Sequence, residues 1–514
     1  MALQKWWARA AALAGWPAGG LLPVSPADWL DAAADAAAAG GHLLTLWTTL
    51  YPESLPAATV RAALLIDGGV LVLDLALVDP AQPYRGLHEI FPAAARMQRA
   101  AADLTGIRSD ASDRRPWLRH VAWTADEAPL RAPTAVPQLA TLVPDDYPFV
   151  RVAGDGVHEI PVGPVHAGII EPGHFRFSIV GEKILRLEQR LGYAHKGIER
   201  RFTELGVLEG HRLAARISGD SAVAYSWAYC QALEGLAGTT VPPRAVWLRA
   251  VYLEIERIQN HLGDLGALGN DAGFAFGLAQ FSRLKEELLR TVHQVFGQRY
   301  LMDAIVPGGV AADVTDDAAG MLAVRLGHTA VVARWLRSIY DDHAGVRDRF
   351  AGAGTVAPEL ARRLGLTGLA GRASGQPSDL RLDSVWPPYH VLTPKRCLRY
   401  EGDVAARVAV RFDEVDESCR LTGALLSDLP AGPLRAPVTA PDPGPPGIGL
   451  IESWRGPVLV ALESRERGRI HRCHAHDPSW QNWPALEHAV IGNIVPDFPL
   501  INKSFNLSYS GHDL

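Results

Sequence analysis

Residues 192–226 read GYAHKGIERRFTELGVLEGHRLAARISGDSAVAYS. Tyr193, His195, Lys196 and Glu199 stand close together at its start, inside a largely apolar chain. Such groups move protons. A carboxyl buried near an imidazole exchanges protons near neutral pH once desolvation raises its pKa, which makes Glu199 and His195 a candidate relay. The structural alternative is an ion pair of Glu199 with Lys196, Arg200 or Arg201. The stretch closes on Arg216-Ile217-Ser218-Gly219-Asp220-Ser221, a small-residue break between two helical patterns. Ser and Asp there are strong N-cap residues, and the pattern beyond them reads as a helix. A second polar break, Asn506-Leu507-Ser508-Tyr509-Ser510-Gly511, lies in the tail.

Other residue types narrow the chemistry. The four cysteines, Cys230, Cys397, Cys419 and Cys473, form no CxxC pair, so the chain's own thiolates build neither a zinc site nor an iron–sulfur cluster. His471, Cys473, His474 and His476 invite a metal, but strand alternation divides them between two faces. The loop 367–375 is rich in glycine yet lacks the Lys-[Ser/Thr] of a phosphate loop, and no GxGxxG follows a strand. NAD(H) would therefore be held elsewhere. On 244–268, Val251, Ile255, Ile258, Leu262 and Leu265 form one buried helical stripe. Glu254, Arg257 and His261 form a second on the same helix, spaced to touch, and read as an interior salt-bridge network.

The elements that must position these groups follow from periodicity. Residues 42–50 and 62–78 read as strands, with a hairpin turn at Asp67-Gly68-Gly69. Residues 89–107 read as a helix with Pro92 in its first turn and Gly106 at its end. No period is sustained over 108–150. Short strands over 157–190 precede helices at 244–268, 276–298, 314–350 and 401–427. A proline-rich exposed linker at 430–447, strands over 449–474, a short helix near 484–491 and an irregular, apolar, inserted tail complete the chain. The expected class is α+β: a small N-terminal α/β domain (1–140), a linker (141–156) and a mainly helical domain with short β elements (157–514).

At 514 residues the chain exceeds one compact core. With 48% hydrophobic and 21% charged residues it is an ordinary globular sequence. A net charge of -6 gives no basic field, so nucleic acid is excluded as a partner. The Ala/Leu run after Lys5 is too short and interrupted for a signal segment, and Asp67-Gly68-Gly69 and Asp74 break the longest apolar stretch. The expected compartment is the cytoplasm.

A family resemblance rests on many separate pieces. They are Gly163-Pro164-Val165-His166-Ala167-Gly168, Glu171-Pro172-Gly173-His174-Phe175-Arg176-Phe177, and Gly192-Tyr193-Ala194-His195-Lys196-Gly197-Ile198-Glu199. Further along come Glu254-Ile255-Glu256-Arg257, Pro307-Gly308-Gly309-Val310, Arg372-Ala373-Ser374-Gly375 with Asp379 and Arg381, Gly402-Asp403-Val404, Arg455-Gly456 and Pro496-Asp497-Phe498. In this order they resemble the large subunit of group 4 membrane-bound nickel–iron hydrogenases and the homologous 49 kDa subunit of respiratory complex I. Residues 89–107 resemble the complex I 30 kDa signature, which is fused ahead of the large subunit in enzymes of the formate hydrogenlyase and hydrogenase-4 type.

The resemblance places four metal-holding thiolates of the hydrogenases at Ser218, Ser221, Ser508 and Gly511. Serine stays protonated and is a weak, hard ligand, and glycine offers none, so no bound metal and no hydrogen chemistry are expected. Glu199 matches the hydrogenase proton-relay glutamate, and Arg455 the arginine over the metal. His166 and His174 lie in the loop that carries a quinone-binding histidine in complex I, and Tyr225 follows the region of its quinone-binding tyrosine. The implied role is a catalytic-module subunit of a membrane-bound, ion-translocating oxidoreductase, without a cofactor of its own. It passes electrons from a partner's 4Fe–4S cluster to an acceptor such as quinone, with NAD(H) entering only through the wider complex. The implied partners are a small iron–sulfur subunit of the complex I 20 kDa type, a ferredoxin-like subunit, and membrane subunits of antiporter-like and quinone-channel-like kind. The implied location is peripheral, on the cytoplasmic face of the inner (plasma) membrane. A hydrogenase and a non-catalytic structural or coupling subunit are the alternatives.

Overall fold

Asp67 and Gly68 both take positive φ, 48° and 76°, and this two-residue turn joins the strands Ala58–Ile66 and Gly69–Leu77. The second reading strand thus starts at Ala58, ahead of the expected position. Both strands pair antiparallel within a five-stranded sheet whose order is Ala11–Ala12, Gly19–Val24, Gly69–Leu77, Ala58–Ile66, His42–Leu50. The computed structural model describes residues 2–120, 123, 128–131, 147–166, 170–384 and 386–514. The boundary at 140, residues 141–146 of the expected linker, and Ala167-Gly168 of the first family motif lie outside the described residues.

Helix Ala94–Thr105 packs on the edge strand His42–Leu50 and ends at Gly106, whose φ of 79° is left-handed. It is shorter than expected. Pro92 precedes the N-cap Ala93, and residues before it turn rather than coil. A sheet of Val157–Val162, His174–Val180 and Lys183–Arg190 follows. The helical body is built from Ala222–Leu236, Pro243–Asp271, Ala275–Phe296, Asp316–Asp342 and Val404–Ser427. The expected helix 314–350 is two. His343 leaves the helical region, and its Nδ1 accepts from Val346 N at 3.2 Å to start Ala344–Phe350.

Strands Gly447–Glu452, Pro457–Arg465 and Arg469–His476 form a last antiparallel sheet, followed by helix Ser479–Ala489. The tail is inserted but not irregular. It forms helices Phe498–Phe505 and Tyr509–Asp513, separated by Asn506 at φ 44°. Pro499 suits the first turn of one, and Ser508 caps the other.

The N-terminal sheet and the C-terminal strands interlock through buried polar bonds. Arg61 pairs with Glu463 at 2.7 Å, Thr45 Oγ1 meets His474 Nε2 at 2.8 Å, and Trp47 stacks on the His474 ring. A Cβ on Gly68 would lie 2.0 Å from Asp383 O, so the hairpin turn itself presses against the body. Among the described residues no helix is long and apolar enough to cross a membrane.

Candidate functional site

The break at 218–221 is a turn closed by Ser221 N donating to Ser218 O at 3.0 Å, and Ser221 is the N-cap of Ala222–Leu236. Its side chain does not cap. Glu256, from the neighbouring long helix, accepts from Val223 N at 2.7 Å and Ala224 N at 3.3 Å. The capping role expected of the serine is therefore filled by a carboxyl group from another element, which leaves the Ser218 hydroxyl to face the tail and that of Ser221 to lie against Asp220 and Arg455. Ser218 Oγ donates to Asp220 Oδ1 at 2.7 Å and lies 3.0 Å from Ser508 Oγ. Ser508 Oγ in turn accepts from Gly511 N at 2.9 Å. The two breaks close on each other.

Arg455 crosses this junction. Its guanidinium holds Asp220 bidentately, Nη1 to Oδ1 at 2.9 Å and Nη2 to Oδ2. Nε donates to Asn506 O at 2.6 Å, Nη1 lies 3.5 Å from Ser221 Oγ, and the group stacks over Trp454. Burial alone would raise the Asp220 pKa, but Arg455 and the Ser218 hydroxyl outweigh it and hold the carboxyl at about 2. Asp220 likewise overcomes the burial penalty on Arg455 and pushes its pKa above the ordinary value. The pair is ionised at neutral pH. It is not sealed: Asp220 keeps 35% of its side chain accessible against 5% for Arg455, and a Cβ on Gly219 would meet nothing within 4 Å. The opening thus lies at Gly219.

The donor set does not fit a nickel–iron centre. Three hydroxyls and a glycine stand where soft thiolates are needed, and a guanidinium already bonded to a carboxylate sits among them. The four cysteines lie elsewhere, buried and free. Among the described residues no group of three or more His, Cys, Asp or Glu could hold a metal ion. Instead of an emptied cavity, these positions carry a hydrogen-bonded ion pair. Gly511 is closed by packing as well, since a Cβ there would lie 2.4 Å from Asp477 Oδ2. Gly511→Cys is expected to cost about 1–3 kcal/mol through overpacking, measured by chemical unfolding; a stability equal to wild type would show that Asp477 yields freely.

Glu199 is buried on the short helix Ile198–Phe202, but its partners are not the expected Lys196, Arg200 or Arg201. Arg472 Nη2 donates to it at 3.0 Å and His474 Nδ1 at 2.6 Å, while His474 Nε2 meets Thr45. Burial raises its pKa as anticipated. Arg472 and His474 more than reverse this, and the carboxyl is held at about 2. A small cavity of about 30 Å³, room for one water, adjoins Glu199, Arg472 and His474. His195 does not join this group. Its Nδ1 is bonded to Asp513 O at 2.7 Å and its ring stacks on Trp123. Gly197, at φ 68°, turns the chain between the two residues.

The candidate quinone residues are not brought together by any direct bond. His174 Nδ1 meets Gly163 O at 3.3 Å, His166 Nδ1 meets Pro164 O at 3.4 Å, and the fully buried Tyr225 donates to Asp477 Oδ2 at 2.8 Å. The loop does reach the tail, where Glu171 Oε2 accepts from Ser510 N at 2.9 Å. The histidines of strand Arg469–His476 serve as hydrogen-bond partners rather than a metal set: His471 to Leu50 O, His474 to Glu199, His476 to Gln481.

The helix stripe is an interior ion network, as its spacing suggested. Glu254 accepts from Arg381 at 3.2 Å and from Tyr389 at 2.7 Å. Glu414 accepts from Arg372 at 2.7 Å and lies 2.8 Å from His261 Nε2, with Arg257 at 3.4 Å. Sequence reasoning missed Asp220, Glu256, Asp477 and Arg472. Asp220, between two motif positions, was the one with a visible signal.

Similarity to known proteins agrees with the motif order. The family described as "Respiratory-chain NADH dehydrogenase, 49 Kd subunit" matches residues 271–445. "Formate hydrogenlyase subunit 5" of Escherichia coli (strain K12) is 31% identical over 374 residues, 72% of this chain and 65% of that protein. The chain thus spans just under two thirds of that relative. "Carbon monoxide-induced hydrogenase" of Rhodospirillum rubrum is 30% identical over 350 residues, 68% of this chain and 97% of that protein. "Hydrogenase-4 component G" of Escherichia coli (strain K12) is 30% identical over 428 residues, 82% and 74% respectively. With 97% and 74% of the last two relatives matched, and the motif positions converging in space, the chain belongs to the family shared by the group 4 nickel–iron hydrogenase large subunit and the complex I 49 kDa subunit.

Proposed function

We propose that this chain is the large electron-transfer subunit of a membrane-associated, complex I-like oxidoreductase that works without a nickel–iron centre. It takes electrons from a 4Fe–4S cluster on a small iron–sulfur partner and delivers them to an acceptor such as quinone. The observation that carries this reading is the Asp220–Arg455 pair, set where Ser218, Ser221, Ser508 and Gly511 converge. The pair offers no thiolate donor and sets a guanidinium and a carboxylate, without net charge, beside the opening at Gly219. Reduction of a quinone takes two electrons and two protons, and Arg455 would stabilise negative charge on the acceptor by exchanging its bond to Asp220 for one to the reduced headgroup. His474, oriented by the anionic Glu199, would pass protons from the interior side, next to the water-sized cavity. The subunit would lie peripherally, on the cytoplasmic face of the membrane, against ferredoxin-like, antiporter-like and quinone-channel-like partners.

The saturation of the Asp220–Arg455 pair by internal bonds also favours a second reading, a coupling subunit that carries no acceptor. Purification of the intact complex separates the two. Elemental analysis is expected to find no stoichiometric nickel, and a water-soluble quinone is expected to be reduced in a manner blocked by a headgroup-mimicking inhibitor. Stoichiometric nickel overturns both readings in favour of a hydrogenase. A nickel-free complex that reduces no quinone leaves the coupling role.

A further inference from the structure

Positive charge collects in a second place, remote from these residues in its lining. A cleft of about 510 Å³ beside helix Ala94–Thr105 is lined by Arg99, Arg108, Arg114, Arg115, Arg119 and Arg131, against two carboxylates among the described residues, Asp103 and Asp113. Both carboxylates are already committed. Asp103 Oδ2 accepts the N–H groups of Trp117 at 2.7 Å, Leu118 at 2.8 Å and Arg119 at 3.2 Å. Asp113 holds Arg115 at 2.8 Å and Arg99 at 3.2 Å. The Arg119 side chain comes no nearer than 3.9 Å to Asp103. Arg108, Arg114 and Arg131 are exposed, and their side chains form no hydrogen bond or ion pair among the described residues.

This is not how the fold treats arginine-lined clefts in general. In another cleft, of about 340 Å³, Arg334 is paired with Asp416, Arg337 and Arg399 with Asp413, and Arg396 with Asp383. Nor does the excess reflect composition, since the chain carries a net charge of -6. Like charges gathered around a concavity repel one another and focus a positive potential into it. Guanidinium forks match phosphate oxygens two at a time, which a point charge does not. The remaining walls, among them Leu50, Pro80, Pro83 and Ile107, are apolar and suit an organic body. The volume falls within the range of about 300–1,000 Å³ typical of small-molecule sites.

We propose that this cleft binds a soluble phosphorylated small molecule of at least two negative charges, with Arg108, Arg114 and Arg131 as its direct partners and Arg119 as a fourth. The site is independent of the electron-transfer reading. Two probes test it on the full chain at fixed ionic strength: inorganic pyrophosphate and ADP, titrated by calorimetry. The expected result is saturable binding of both, tighter for ADP because of the apolar wall. The variant R108Q/R114Q/R131Q, whose changes lie at exposed positions, is expected to keep its melting temperature and bind about tenfold or more weakly. Absence of binding of both probes at millimolar concentration overturns the proposal, as does equal binding by the triple variant. Sedimentation with anionic phospholipid vesicles that neither probe displaces overturns it in favour of a membrane-facing surface.

Discussion

Glu414→Gln is expected to destabilise the folded chain by about 3–5 kcal/mol, the cost of breaking a buried ion network by removing one partner. The carboxylate is fully buried and serves Arg372, Arg257 and His261 at once. The amide keeps the shape but removes the charge, so guanidiniums without access to water lose their counter-ion. Glu452 still reaches Arg372 at 2.9 Å and limits the loss. The Glu414 carboxyl is ionised. Its burial is outweighed by Arg372 and His261, so that its pKa lies well below the carboxylate range, and Arg381 closes the network through Glu254. Chemical unfolding of wild type and variant measures the difference. Glu359→Gln, which breaks an exposed pair with Arg362, is the control and should leave the unfolding midpoint unchanged. A Glu414→Gln protein as stable as wild type would mean that the network is not held by charge.

Glu199→Gln should weaken the protein at neutral pH and flatten its response to acid. The sign follows from the depressed pKa. In the folded chain Arg472 and His474 overcome burial and hold the carboxyl at about 2, against the ordinary 4.5 of a glutamate. Its stabilisation is therefore fully present above pH 4.5 and is lost as the pH falls toward 2. The size is about 3 kcal/mol at roughly 1.4 kcal/mol per unit. Urea unfolding at pH 7, 5 and 3 reads it: wild type should lose more stability than the variant between pH 5 and 3. A difference between the two proteins that is constant over this range would contradict the depressed pKa. The same variant in the intact complex tests the proton role. Turnover that falls by more than the loss of folded protein, with a shifted pH profile, supports passage through Glu199. Unchanged turnover leaves Glu199 as an anchor for Arg472 and His474.

Both residues show how the sequence was legible. The stripe Glu254, Arg257, His261 announced a network because helical spacing brings its members to one face. The carboxylate at its centre, Glu414, comes from another helix, so no local spacing could name it. Glu199 was visible as a candidate because it stands in a compact polar cluster within a largely apolar chain and matches the family's relay position. Its neighbours in sequence, Lys196, Arg200 and Arg201, were the available guesses, yet a helix of five residues turns them away from it. The tail was misread as irregular because its helices are of eight and five residues, too short for a period to show.

By itself, the sequence determined most of the element types, the hairpin at Asp67-Gly68, the order of the family motifs and the absence of cysteine at 218, 221, 508 and 511. These are properties of adjacent residues, set by backbone preference, side-chain period or chemical identity. The tertiary structure alone decided what stands in their place. Asp220 meets Arg455 across 235 positions, and Glu199 meets Arg472 across 273. The physical reason is that a buried charge takes the partner that packing brings within bonding distance, and packing is a property of the whole chain. Ser218, Ser221, Ser508 and Gly511 therefore match metal-ligand positions through the family resemblance of the sequence, and adjoin an ion pair open at Gly219 only in the fold.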